Sequence, residues 1–259
     1  MIAAQAVRVL ILLVILGITI ACLIAGRYVA AILISGVAWL TYLWGTLRPN
    51  CSWFGEVLSH MPGGEVAITI DDGPDPATTP ALLAILRTAK VNATFFLIGE
   101  RAVAHPRLVE AIRADGHDIG NHTQTHPQFA FWALGPWRMW REIRACQVSL
   151  QNAPAYFRSP VGHTNPFVSP VLKQLGLRRV AWSARGYDAV RKDVDGIMAD
   201  LFTDLKSGSI VLIHDATPVC SEVLERLIAE INRRGLRTAL LPPTAALHPG
   251  GVCADHASL

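Results

Sequence analysis

Charge is scarce in this sequence. Only 17% of its 259 residues are Asp, Glu, Lys or Arg, against 51% hydrophobic, and a mean hydropathy of +0.35 lies above that of an ordinary soluble domain. Cysteine is sparse too: five residues, an odd number without a CxxC pair, provide neither a disulfide framework nor a thiolate metal knuckle, and lean toward a reducing compartment. No run of Lys and Arg forms a stripe and the formal net charge is only +3, so the electrostatic footprint of a nucleic-acid binder is missing. Internal repeats and low-complexity tracts are lacking as well. The length suffices for one large domain with a smaller element attached.

The apolar excess is concentrated at the start of the chain. Stretches 9–26 and 29–47 carry no charged residue and are separated by Arg27 and Tyr28; each is about long enough to cross a hydrocarbon core of roughly 30 Å. Trp39, Tyr42 and Trp44 sit near the end of the second, where aromatic belts form. A cleaved signal followed by a single anchor fits less well, because the leading region has only Arg8 and no convincing cleavage site. Residues 1–48 therefore read as a two-span hairpin in the cell membrane. Arg8 and Arg48 would flank one side and Arg27 the other, a margin of one charge that does not assign the side. Residues 49–64, PNCSWFGEVLSHMPGG, read as a linker with turn residues at both ends. A catalytic domain is expected over 65–245 and a tail over 246–259.

Within that domain, short β-rich runs at 66–70, 93–98, 117–120, 155–157, 179–182, 210–213 and 238–241 alternate with helical spacing at 80–89, 106–115, 136–150, 167–175, 194–205 and 221–233. Regular alternation predicts an α/β fold with a largely parallel sheet. Polar residues collect just after these strands: Asp71 and Asp72, then His122 and His126, Arg158, Asp188, and His214 with Asp215. Carboxyl ends of parallel strands converge on one face, which predicts a single site.

His122 and His126 stand four apart, so a turn or tight loop lets both imidazoles reach one ion. An aspartate from the AITIDDGPDP stretch would complete an Asp/His/His set with open positions, as a catalytic metal site requires. Asp-Gly-Pro alone equally describes a polar turn. Neighbouring strand residues point to opposite faces, so Asp71 and Asp72 can take different roles, one toward the metal and one toward the attacking water as general base. A nearby cation also removes the conflict between two adjacent carboxylates.

TIDDGP at 69–74, HTQTH at 122–126, RSPVG at 158–162 and LIH at 212–214 occur in the order and approximate spacing of the polysaccharide deacetylase family, carbohydrate esterase family 4, which the chain resembles over about 65–241. The resemblance implies a distorted (β/α) barrel and a divalent metal, zinc first, with cobalt, manganese or nickel as alternatives. It implies Asp71 as general base, with Asp72, His122 and His126 as metal ligands. His214 would be the general acid, and Arg158 would orient Asp71 through a charge-assisted pair. The Val161 backbone N–H would stabilise the oxyanion, Leu212 would line the acyl-methyl pocket, and Trp182 belongs to the same substrate-facing set. The implied reaction is removal of an N-acyl group, N-acetyl first, from an amino sugar in a glycan or lipid-linked saccharide.

The family's fourth motif fits less closely. Arg185 and Ala189 stand where its D-x-x-D-W pattern has Asp and Trp, and the first of those aspartates normally pairs with the catalytic His. The partner of His214 is thus left open between Asp188 alone and a network of Arg185 with Asp188. Trp132, Trp137 and Trp140 read as a sugar platform, a lipid-facing lip, or core packing of the following helix. Asp75 reads as a turn residue or helix cap, Asp215 as a turn residue in preference to a neighbour of His214, and His163 as a loop residue. The anchor keeps a lipid-linked substrate in view, and a deformylase of a lipid-linked amino sugar is the nearest variant. Outside that class stand a non-haem iron oxygenase built on two histidines and a carboxylate, and a catalytically impaired glycan-binding domain.

Overall fold

A computed structural model describes residues 14–151 and 154–243. The chain begins there with helical residues Val14–Ile24 (α1) and continues into Tyr28–Leu47 (α2), the one described helix long and apolar enough to cross a membrane. The expected first span starts at residue 9, so its opening turn lies outside the described residues, as does the expected tail.

Seven parallel strands follow: β1 (Ala67–Asp71), β2 (Thr94–Leu97), β3 (Asp118–Asn121), β4 (Tyr156–Phe157), β5 (Arg178–Arg179), β6 (Ala184–Arg185) and β7 (Ile210–His214), in the order β5-β4-β3-β2-β1-β7-β6. Helices α3 (Thr79–Ala89), α4 (Gly99–Ala104), α5 (Pro106–Ala114), α6 (Pro136–Ser149), α7 (Val168–Gln174), α8 (Val194–Asp204) and α9 (Cys220–Arg233) connect them.

Alternation along the strands separates two cores. Ile68, Ile70, Phe95, Leu97, Val211 and Ile213 face outward against Leu82, Leu86, Ile112, Leu224 and Leu227 of the helices. Ala67, Phe96, Tyr156, Val180 and Ile210 face inward with Leu58, Met61 and Leu241. Both faces are covered, which is why β1 reads as an almost unbroken apolar run.

The stretch expected as a linker takes part in this wall. Leu58 bridges Val180 and His60 bridges Ser209, with the Leu58 N–H donating to the Arg179 carbonyl at 2.9 Å and the Met61 N–H to the Gly208 carbonyl at 2.8 Å. Residues 58–61 thus span the gap between the β5 end and the start of β7, distorting the barrel at that seam. Their strand character is two isolated bridges, with no sustained alternation to announce it. Expected strand 179–182 is replaced by two short strands, β5 and β6, and expected strand 238–241 reduces to one bridge between Val66 and Thr238. The short helix α4 has no counterpart among the expected elements. The remaining helices lie within a residue or so of their expected limits.

Nor is α2 detached from the domain. Its Trp39 ring meets Trp132 edge-on at 6.4 Å, Tyr42 packs on Phe54 at 5.6 Å, and the Thr46 carbonyl accepts from the Thr164 N–H at 3.0 Å.

Candidate active site and metal centre

Strand period alone delivers most of the site. Thr69 and Asp71 on β1, and Leu212 and His214 on β7, share the inward face, with Thr69 beside Leu212 and Asp71 beside His214 in register. β3 and β4 bring His122 and Arg158 to the same carboxyl edge. The chain then turns sharply: Asp72 (φ 70), Thr123 (φ 69), His126 (φ 51) and Val161 (φ 49) all occupy the left-handed region, a conformation that costs energy for a residue with a Cβ and is held only where the surroundings over-determine it. By turning, Asp72 reaches the same side as Asp71.

Asp72, His122 and His126 bring ligand atoms within 4.8 Å of one another. The Nε2 atoms of His122 and His126 lie 3.4 and 3.3 Å from Asp72 Oδ1. His122 Nδ1 donates to the Arg158 carbonyl at 2.8 Å in its neutral tautomer, which turns the Nε2 lone pair toward Asp72. The tight loop between the histidines is braced by α6: the Thr125 N–H and hydroxyl both donate to Glu142, at 3.0 Å each. Asp72 Oδ1 is buried and accepts no hydrogen bond. Two imidazole nitrogens and an unpartnered carboxylate oxygen form a donor set suited to a divalent ion such as zinc.

The electrostatics favour that use at Asp72 and His126, whereas at His122 an ion would have to displace a proton from Nε2. Burial opposes charge on Asp72, but the facing His122 imidazole, with His126 and His214, holds its carboxyl well below the usual range. Burial together with the neighbouring His122 charge pushes His126 down to about 4, so it is a neutral donor at physiological pH. His122 is raised: burial works against its cation, and Asp71 and Asp72 outweigh it.

Arg158 is fully buried. Its Nη1 donates to Asp71 Oδ1 at 2.7 Å and to Thr69 Oγ1 at 2.8 Å, and its Nη2 to the Ala181 carbonyl at 2.9 Å; the guanidinium lies over the Phe96 ring at 4.2 Å. Asp71 is pinned through one oxygen, and the other, Oδ2, faces His122 Nε2 at 3.7 Å. On the other flank His214 Nδ1 meets Asp188 Oδ1 at 2.9 Å, and the His214 backbone N–H donates to Asp188 Oδ2 at 2.6 Å. Burial disfavours the His214 cation, yet Asp188, with Asp71 and Asp72 beyond it, raises its pKa. Asp188 alone pairs with His214; Arg185 instead lies over the Tyr187 ring at 3.8 Å and beside Trp182 at 5.4 Å. Leu212, Trp182 and Ala181 form a small apolar cluster one rung below His214.

Several supporting residues receive no role in the site from the sequence, although Thr69 opens the TIDDGP motif. Thr69 accepts from Arg158 and donates to the Val211 carbonyl; its place two residues before Asp71, on the same strand face, was the available signal. Arg101 donates to the Asp72 carbonyl at 2.7 Å and carries no pattern that announces it. Asp215 accepts from the hydroxyls of Thr78 and Thr79, closing the β1–α3 turn.

These features define a class: a curled parallel α/β barrel with a carboxylate–imidazole cluster at its carboxyl edge, flanked by an Arg-held aspartate and an Asp-held histidine. A sequence profile described as polysaccharide deacetylase matches residues 59–180. A peptidoglycan-N-acetylglucosamine deacetylase of Bacillus cereus is 34% identical over 201 residues, covering 74% of this chain and 93% of the relative. A chitooligosaccharide deacetylase of a Bradyrhizobium species is 32% identical, covering 68% and 89%. Among solved structures, a family 4 carbohydrate esterase from Streptomyces lividans in complex with acetate superposes with a TM-score of 0.64 at 31% identity, covering 70% of this chain and 94% of that one. The chain belongs to the polysaccharide deacetylase family, carbohydrate esterase family 4.

Proposed function

We propose that the protein is a metal-dependent hydrolase that removes an N-acyl group, N-acetyl first, from an amino sugar in a glycan or a lipid-linked saccharide, held at the cell membrane by its N-terminal helices. The observation that carries this reading is the convergence of Asp72, His122 and His126 within 4.8 Å between two differently supported proton carriers, Asp71 on Arg158 and His214 on Asp188. The names of the relatives, which act on N-acetylglucosamine in peptidoglycan and on chitooligosaccharides, support the substrate class.

Asp72, His122 and His126 would hold the divalent ion, which supplies Lewis acidity to the acyl carbonyl and the attacking water. Asp71 accepts the water proton through Oδ2, because Arg158 occupies Oδ1. The water oxygen bonds to the acyl carbon, and the Val161 backbone N–H, in its left-handed turn beside Arg158, stabilises the charge that develops on the carbonyl oxygen. His214, cationic through Asp188, gives the Nε2 proton to the sugar nitrogen as the C–N bond breaks, releasing a carboxylic acid and a free amine. The Leu212, Trp182 and Ala181 cluster would receive the acyl methyl.

The purified full chain with zinc or cobalt should release acetate from N-acetylglucosamine oligomers. Asp71→Asn and His214→Ala should each lower the rate by about 10²–10⁴-fold. Full activity retained in both would sink this assignment.

A further inference from the structure

The aromatic residues after the second metal ligand do not all serve the core. Phe129, three residues beyond His126, is 86% exposed and Trp137 is 70% exposed, with Trp137 stacked on Trp140 at 5.6 Å. Trp132, between them, is where α2 docks: its ring meets Trp39 at 6.4 Å, and the Tyr42 hydroxyl donates to its carbonyl at 3.2 Å. The same end of α2 leads directly to the site. Pro49 crowds Gly162 so closely that a Cβ there would stand 2.6 Å from both Pro49 Cγ and Trp182 Cη2, and Gly162 follows Val161.

A helix rises 1.5 Å per residue, so Trp39 and Tyr42 lie about 8–12 Å before Leu47 along its axis. The Arg48 guanidinium folds over Trp44 at 3.4 Å, marking the water side of α2. A loop resting on Trp39 and Tyr42 therefore lies on the membrane side of Arg48, toward the inner edge of an interfacial layer roughly 5–8 Å thick. Its backbone is prepared for such a place, where unsatisfied polar groups are costly. Asn165 Nδ2 donates to the carbonyls of Phe131, Trp132 and Leu134 at 3.5, 3.2 and 3.0 Å, and Trp132 Nε1 donates to the Phe129 carbonyl at 3.1 Å.

We propose that residues 127–137, with Phe129 and Trp137 at the tip, enter the membrane interface, so that the mouth of the active site beside His126 opens onto the bilayer and takes an N-acylated amino sugar carried on a lipid. The occupant of this aromatic face is the lipid surface, because the face is continuous with α2. The proposal rests on the readings given above that α2 spans the membrane and that the site deacylates amino sugars. The Trp137 indole, with its N–H, suits the headgroup layer and the apolar Phe129 ring the acyl boundary beneath it, and an anchor docked on the catalytic loops fixes the mouth at one height above the bilayer.

Two readouts test it, both on the full chain in vesicles of phosphatidylcholine and phosphatidylglycerol. First, the photoreactive analogue p-benzoyl-phenylalanine is placed at position 129, and at Thr88 on the exposed far end of α3 as control. Lipid adducts at 129 well above those at 88 are expected; equal yields overturn the proposal whatever the enzyme's activity. Second, Phe129→Glu and Trp137→Glu should lower kcat/KM at least tenfold for an N-acetylglucosaminyl lipid presented in the bilayer, while hydrolysis of a soluble N-acetylglucosamine oligomer stays unchanged. Equal effects on both substrates, or none on either, overturn it. Wild-type chain inactive on both counts against the deacylase reading instead, and the adduct yield then decides the membrane face.

Discussion

The two aspartates of the DDGP turn are separated by backbone rather than by chemistry. Asp71 ends a strand and keeps the inward face, whereas Asp72, at φ 70, bends back to the same pocket. Strand alternation alone would have sent it the other way, and the Asp-Gly-Pro turn signal does not say to which side Asp72 is carried. The partner of His214 was likewise beyond the sequence, since the motif left Arg185 and Asp188 both in play; the hydrogen bond at 2.9 Å to Asp188 decides it. That bond carries a pH prediction. A general acid must be protonated, and a pKa raised above the usual 6.5 keeps the proton on His214 to higher pH, so activity should fall only as pH rises through that raised value. Asp188→Asn removes the charge, and the alkaline limb of kcat/KM should move to lower pH with a loss of about 10²-fold or more. An unmoved limb would show that Asp188 only holds the ring in place.

At the scale of elements, long periodic segments were legible and short ones were not. Helices α3, α5, α6, α8 and α9 follow their apolar spacing because one stripe of each is buried on the sheet. β4 falls within the expected run 155–157, but the two-residue β5 and β6, read as one strand over 179–182, and the six-residue α4 are too short for a period to register. Residues 58–61 are the instructive case: without alternation they read as a tether, yet Leu58 and Met61 fill the barrel interior. Leu58→Ala should therefore destabilise the protein by about 2–4 kcal/mol, seen as a lower urea midpoint with an unchanged slope. A change under about 0.5 kcal/mol would mean this stretch is not part of the wall.

Over the whole molecule, parallel topology gathers residues far apart in sequence at one edge, which is why the alternation of strands and helices alone suffices to group Asp71, His122, Arg158 and His214. Their supports come from packing between elements, which local patterns barely encode: Glu142 on α6 under the loop between His122 and His126, Thr69 under Arg158, and α2 against the segments of residues 131–134 and 164. Helix α2 and the candidate site thus form one packed unit, with Gly162 held between Pro49 and Trp182. The central claim is that Asp72, His122 and His126 hold a divalent ion on which deacylation depends. Acetate release from an N-acetylglucosamine oligomer tests it most directly, followed before chelation, after chelation and after one equivalent of zinc is restored. Loss and recovery are predicted for the wild-type chain, with no recovery at that stoichiometry for His126→Ala; activity indifferent to the chelator, or undiminished in His126→Ala, would contradict it.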